Sequence, residues 1–118
     1  MKYDLEERLI NFATQVITLV ESMPNTKAAN HLAGQLLRSG TSPALNYAEA
    51  QSGESRNDFI HKIKIVLKEL RETGVCLKIV YRAKLFKSED ELKAVIKETN
   101  ELVAIFAKSA QTAESKRK

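Results

Sequence analysis

The sequence predicts an all-α fold of four helices packed as a bundle, and three observations carry that reading. Apolar residues recur at three- and four-residue steps along four separate stretches, the period of an α-helix. Gly numbers 4 and Pro 2, too few for the turn signals, roughly every 8–12 residues, that a sandwich or barrel needs. The 118 residues are 43% hydrophobic and 29% charged, an ordinary balance for one soluble domain with one core.

The first helix spans about Asp4 to Ser22. Asp4 and Glu7 fit an N-cap and its partner three residues on, and Leu5, Leu9, Phe12, Val16, Leu19 and Val20 form the apolar face. Met23-Pro24-Asn25 ends it, because the residue before Pro avoids the α region. The second helix opens at Thr26 and carries Leu32, Leu36 and Leu37. Pro43 removes a donor and crowds the carbonyl of Ser39, so a kink near Pro43 is expected, or a restart with Ser42 as N-cap. The hydroxyls of Ser39, Thr41 and Ser42 are placed to satisfy the freed carbonyl. Gln51-Ser52-Gly53 closes the segment.

The third helix is long, from about Ser55 to Lys84, with Ser55 and Asp58 resembling a capping box. Gly74 lies inside it, either allowing close helix approach or simply tolerated. The fourth opens at the Ser88/Glu91 capping box and carries Leu92, Val95, Ile96, Leu102, Val103 and Phe106. The bundle domain is therefore residues 1–107, with 108–118 expected as a basic, frayed tail or, since Ala107, Ala110 and Ala113 do not oppose helix, entered by the fourth helix for a turn or two.

Three faces of the third helix separate on a helical wheel. Phe59, Ile63, Leu67, Leu70, Leu77 and Tyr81 share an arc of roughly 80°, the face a bundle would bury. Ile65, Cys76 and Ile79 lie well off it and form a candidate subunit interface, unless the chain's own helices cover them. Arg56, Lys64, Lys68, Arg71, Lys78 and Arg82 form a third, basic face, the candidate nucleic-acid-binding residues. Residues 53–87 hold 9 basic and 4 acidic side chains, whereas the first and fourth helices are net acidic. The plainer reading of that stripe is a solvated face paired with its acidic neighbours, since the whole chain carries only +4. No aromatic residue interrupts it to stack on bases.

Catalytic and metal patterns are poor. Asp58 and His61 stand three apart, as in half of a di-iron bundle, but the matching position before His31 is Ala28. Cys76 sits in an apolar stretch and reads as packing rather than as a nucleophile. No Gly-rich phosphate loop, His-Glu-x-x-His or Cys-x-x-Cys occurs. No catalytic residue, metal site or cofactor is expected. The charged start lacks a signal-peptide core, the longest apolar run (Leu102–Ala107) is far short of the about 20 residues of a membrane span, and the single Cys excludes a disulfide scaffold. A cytoplasmic location without membrane contact is expected.

The stretch from Gln35 to Ala50 (QLLRSGTSPALNYAEA) resembles the signature of the bacterial four helix bundle protein family, also called 23S rRNA intervening-sequence proteins. Ser55, Asp58-Phe59, Lys62 and Leu67-Lys68-Glu69-Leu70-Arg71-Glu72-Thr73 agree, as do Phe12-Ala13, Val16 and Leu77. The resemblance runs from about residue 4 to 106 and departs at Gly74-Val75, where a bulkier residue is expected.

The resemblance implies a left-handed, up-down-up-down antiparallel bundle that assembles into a ring, most simply a homopentamer, with no enzymatic activity. It also implies kinship with the accessory protein of diversity-generating retroelements, hence structured RNA or DNA or a reverse-transcriptase-type partner; no small-molecule substrate is expected. Among the signature residues, Arg38, Ser39, Ser42, Asn46, Glu49, Lys62, Glu69 and Glu72 are expected to form a structural polar network that sets helix register. Two functions follow. One is an oligomeric nucleic-acid- or ribonucleoprotein-binding adaptor, in which +4 per chain becomes about +20 in a pentamer. The other is a purely structural or protein-interaction oligomer without nucleic-acid affinity.

Overall fold

The computed structural model describes residues 4–53 and 55–116. They form four helices: α1 (Leu5–Glu21), α2 (Lys27–Gln51), α3 (Arg56–Arg82) and α4 (Glu89–Ser115). All four expected N-caps are in place. The side chains of Asp4, Thr26, Ser55 and Ser88 accept from the backbone N–H of Glu7, Ala29, Asp58 and Glu91, satisfying donors that a helix start leaves free.

Cross-helix pairs give the topology. Arg38 meets Glu69 and Glu72 while Glu49 meets Lys62, so α2 and α3 run antiparallel. Lys64 pairs with Glu114, and Gly74 lies against Thr99, so α3 and α4 do the same. Arg8, near the start of α1, binds Glu98 and Glu101 of α4 and closes the bundle. The result is an elongated body of 49 × 27 × 20 Å whose core runs along its axis through Leu9, Phe12, Val16, Leu36, Leu70, Leu77, Leu102 and Phe106. Tyr47 meets Phe106 edge-on, with ring centroids 5.5 Å apart. No described helix is long and apolar enough to cross a membrane.

Three expectations are sharpened. Of the two alternatives at Pro43, a kink or a restart, the restart does not occur: α2 continues from Lys27 to Gln51 with Pro43 buried inside it. The nearby hydroxyls are engaged elsewhere than at the Ser39 carbonyl. Thr41 Oγ1 donates to the Leu37 carbonyl at 2.6 Å, Ser42 Oγ accepts from Asn46 Nδ2 at 2.8 Å, and the Ser39 hydroxyl pairs with that of Thr73. Burial of Pro43 on the core side holds the helix together where the proline lacks a donor.

Of the two alternatives for the segment from Lys108, a frayed tail or a turn or two more of helix, the second holds as far as Ser115. Ala110 and Ala113 are buried, and Glu114 pairs with Lys64, so the added turns have tertiary contacts to hold them. The residues at 117–118 lie outside the described set.

On α3 the buried face is wider than the wheel suggests. Ile63, Val66, Leu70, Leu77 and Val80, all on the apolar arc of the sequence, are buried and Phe59, Leu67 and Tyr81 pack half-buried, as expected, but Ile60 and Cys76 are buried too. A helix with neighbours on both flanks is covered through a broader arc than one packed on a single partner.

The α3–α4 connection turns sharply after Arg82. Lys84 adopts φ 58° and donates its N–H to the Tyr81 carbonyl, while Leu85 donates to the Val80 carbonyl. This is a Schellman ending with lysine where glycine is usual, and Leu85 and Phe86 then fold back onto the core.

Two glycines set helix spacing differently. A Cβ on Gly40 would lie 2.8 Å from Val16 Cγ1, whereas one on Gly74 would lie 3.4 Å from Thr99 Cγ2. Gly40→Ala should therefore force α1 and α2 apart and cost about 1–3 kcal/mol. Gly74→Ala should be neutral or stabilising by up to about 1 kcal/mol through helix propensity. Thermal melting of the two variants checks this; equal shifts would refute the assigned spacing.

Candidate functional site

The polar residues singled out by the sequence do not form one network. They resolve into three clusters along the seam between α2 and α3. At its centre Arg38 spans two carboxylates, Nη1 donating to Glu69 Oε1 at 2.9 Å and Nη2 to Glu72 Oε2 at 2.8 Å, with Gln35 Oε1 accepting at 3.4 Å. Glu69 is buried, so its charge relies on this partner, while Arg38 and Glu72 face water. The hydrogen bond and the charge of Glu69, followed by the charge of Glu72, raise the pKa of the Arg38 guanidinium.

Beneath Arg38, Thr73 Oγ1 is bonded to both Ser39 Oγ (2.9 Å) and the Glu69 carbonyl (2.8 Å). Ser39 and Thr73 are buried, and their hydroxyls satisfy each other inside an apolar core. Thr73 was legible only as part of the signature. Its role depends on lying opposite Ser39, which no spacing within α3 reveals. The remaining clusters are the pair Ser42–Asn46, one turn apart on α2, and the ion pair Glu49–Lys62 nearer the end of α2. A further tie, Arg8 with Glu98 (2.7 Å) and Glu101 (2.9 Å), lies between helices at opposite ends of the sequence and left no local signal.

Outside the Arg38 cluster lies a groove of about 700 Å³ between α2 and α3. Leu32, Val75, Cys76 and Ile79 form its apolar lining, and Lys68 and Arg71 stand at its edge. Of the candidate interface residues, Ile79 is exposed here, Cys76 is buried and Ile65 is half-buried. Cys76 is thus covered by its own chain, its sulfur 3.8 Å from the Leu32 carbonyl. Burial, and secondarily the charge of Glu72, push the Cys76 thiol pKa up. Burial likewise raises the Tyr47 phenol, with smaller contributions from Glu6 and Asp4.

All six basic-face candidates are exposed. Lys64 is paired with Glu114, but Arg56, Lys68, Arg71, Lys78 and Arg82 form no ion pair among the described residues. The face divides lengthwise. Lys68 and Arg71 border α2, while Lys78 and Arg82 border α4 beside Tyr81 and Lys93, whose Nζ sits 5.7 Å from the Tyr81 ring centroid. Among the described residues no three His, Cys, Asp or Glu side chains converge as a metal site would require.

The sequence model of the 23S rRNA-intervening sequence protein family matches residues 1–108. The chain belongs to that family. Its architecture is also that of a solved protein of unknown function from the S23 ribosomal protein family of Bacteroides thetaiotaomicron. The two superpose with a TM-score of 0.83 at 27% identity, over 91% of this chain and 98% of the other. No curated protein matches the chain. The family match extends through both signature stretches, so the α2–α3 seam lies wholly within it. Neither description carries a catalytic activity.

Arg38→Ala should lower the melting temperature more than Glu72→Ala, because only the former strands the buried Glu69 carboxylate. Thr73→Val, which removes the hydroxyl that pairs with Ser39 and bonds the Glu69 carbonyl, should cost about 1 kcal/mol. Wild-type melting in all three variants would show that the seam does not hold the helices. For Cys76, a raised thiol pKa means that the folded state keeps its proton while the unfolded state ionises. Stability should then fall as pH rises through the ordinary thiol range, and alkylation of the native protein should accelerate only above the pH at which a free cysteine reacts. Iodoacetamide kinetics against pH, beside a cysteine peptide, check the sign.

Proposed function

We propose that the protein works as an oligomeric adaptor without catalytic activity, a ring of identical chains and most simply a pentamer, that binds structured nucleic acid or a ribonucleoprotein through the outer face of α3. The observation that carries this reading is the set of five exposed cations on that face with no carboxylate partner among the described residues. Elsewhere the cations that cross between helices, Arg8, Arg38 and Lys62, are matched to acids. Charges left unmatched on one face are available to neutralise phosphates, and repeating the face around a ring multiplies a weak local attraction. The family name, which ties these proteins to sequences intervening in 23S rRNA, supports the same direction.

A purely structural oligomer is the second reading. It draws on the pairing of Lys64 with Glu114, which shows that part of the stripe is neutralised within the chain.

Filter binding to a structured RNA at several salt concentrations separates the two. The adaptor should lose affinity steeply with salt. Reversing Arg56, Lys78 and Arg82 to Glu should flatten the log–log slope by about 1 for every phosphate that the variant no longer neutralises. Absent or salt-insensitive binding by an assembled protein selects the structural reading.

A further inference from the structure

We infer that the groove between α2 and α3 of one copy receives the outer face of α1 from a second copy, so that the chains join head to tail. This rests on the self-association proposed above and goes further by naming both contacting surfaces.

The exposed face of α1 has a definite pattern. Glu6, Ile10, Ala13, Ile17 and Glu21 fall within an arc of about 80° and extend over about 22 Å of helix. Ile10 and Ile17 are 43% and 42% exposed, and no described helix covers them. The strip is apolar in the middle and acidic at both ends.

The groove has the opposite character at its edge. Val75 and Ile79, 58% and 47% exposed, stand over the buried Cys76; Glu72, the acid of the lining, is bound by Arg38, while Lys68 and Arg71 are unpaired among the described residues and leave the groove net basic. Each surface placed against a copy of itself would set acid on acid or base on base. Placed against each other, they bury apolar residues and pair opposite charges.

The spacings also agree. Lys68 precedes Ile79 by eleven residues. On α1 the same interval separates Glu6 from Ile17 and, in the reverse direction, Glu21 from Ile10. In either direction an acid faces Lys68, an isoleucine faces Ile79, and the small Ala13 lies near Val75. A contact between two different surfaces is heterologous, and repeated around a closing rotation it gives a ring rather than a two-fold dimer. Lys68 and Arg71 are then taken up in the contact, and of the five unmatched cations Arg56, Lys78 and Arg82, outside the groove lining, stay free for phosphates.

Two variants test the contact: Ile17→Glu spoils the α1 strip and Val75→Glu spoils the groove. Both positions are exposed, so circular dichroism and melting should match wild type. Light scattering should show the wild-type assembly, and each variant alone at the monomer mass of 13.3 kDa. Mixed in equal amounts, the two should form a dimer that grows no further, because each retains the surface the other lacks. Variants that assemble as wild type does, or separated variants that fail to pair on mixing, overturn the head-to-tail contact while leaving self-association intact. A monomeric wild type overturns both this contact and the proposed ring.

Discussion

The hydrogen bond between the Thr73 and Ser39 hydroxyls, roofed by Arg38 on Glu69, is the constraint on which the arrangement of α2 and α3 depends. Apolar surfaces slide past one another at little cost, since one leucine resembles the next. A buried hydroxyl slides less freely, because moving α2 by one turn takes Ser39 away from the Thr73 hydroxyl it pairs with, even though Thr73 keeps its bond to the Glu69 carbonyl. The bundle core is otherwise made of Leu, Val, Ile, Phe and Ala, with Glu69, Thr73, Thr99 and Ser39 as its buried polar exceptions among the described residues. Thr99 bonds within its own helix, to the Val95 carbonyl, and so carries no such information. Register between α2 and α3 is therefore specified at Ser39 and Thr73, and the Glu49–Lys62 pair further along the same seam agrees with it.

From that seam follow the surfaces. Holding α2 against α3 places Arg38 over Glu69 and leaves a groove beside them, in which Val75 and Ile79 remain uncovered. The family resemblance led to the expectation of a bulkier residue near Gly74-Val75. The structure gives each of this pair a separate meaning: Gly74 faces inward to Thr99, and Val75 faces outward over the groove. Cys76 closes the floor, which is why its thiol is both buried and hard to ionise. The same geometry points the basic residues of α3 away from the core and splits them between the α2 and α4 flanks.

Much of the fold was legible in the residues. The four caps follow from one polar side chain three residues before a backbone N–H that needs an acceptor, and each stands where that rule places it. The core face of α3 was readable from its period, although the wheel drew it too narrow. The least legible places are those where tertiary contacts outweigh local preference. At Pro43 local chemistry leaves a kink or a restart open, and α2 runs on through it as one helix. The last turns of α4 look polar in sequence, yet Ala110, Ala113 and the Lys64–Glu114 pair hold them.

The sequence by itself determined the number of helices, where each begins, which residues face the core and how charge is distributed, because each depends on neighbours within a turn or two of the same helix. Only the tertiary structure decided which polar residues meet. The eight signature residues had looked like one network, but distances between helices divide them into three clusters and add Thr73. It also decided that Cys76 is covered while Val75 and Ile79 are not, and that Lys64 has a partner while its neighbours on the stripe have none among the described residues. Those outcomes depend on side chains brought together from positions tens of residues apart, and periodicity along one helix carries no record of what lies across from it.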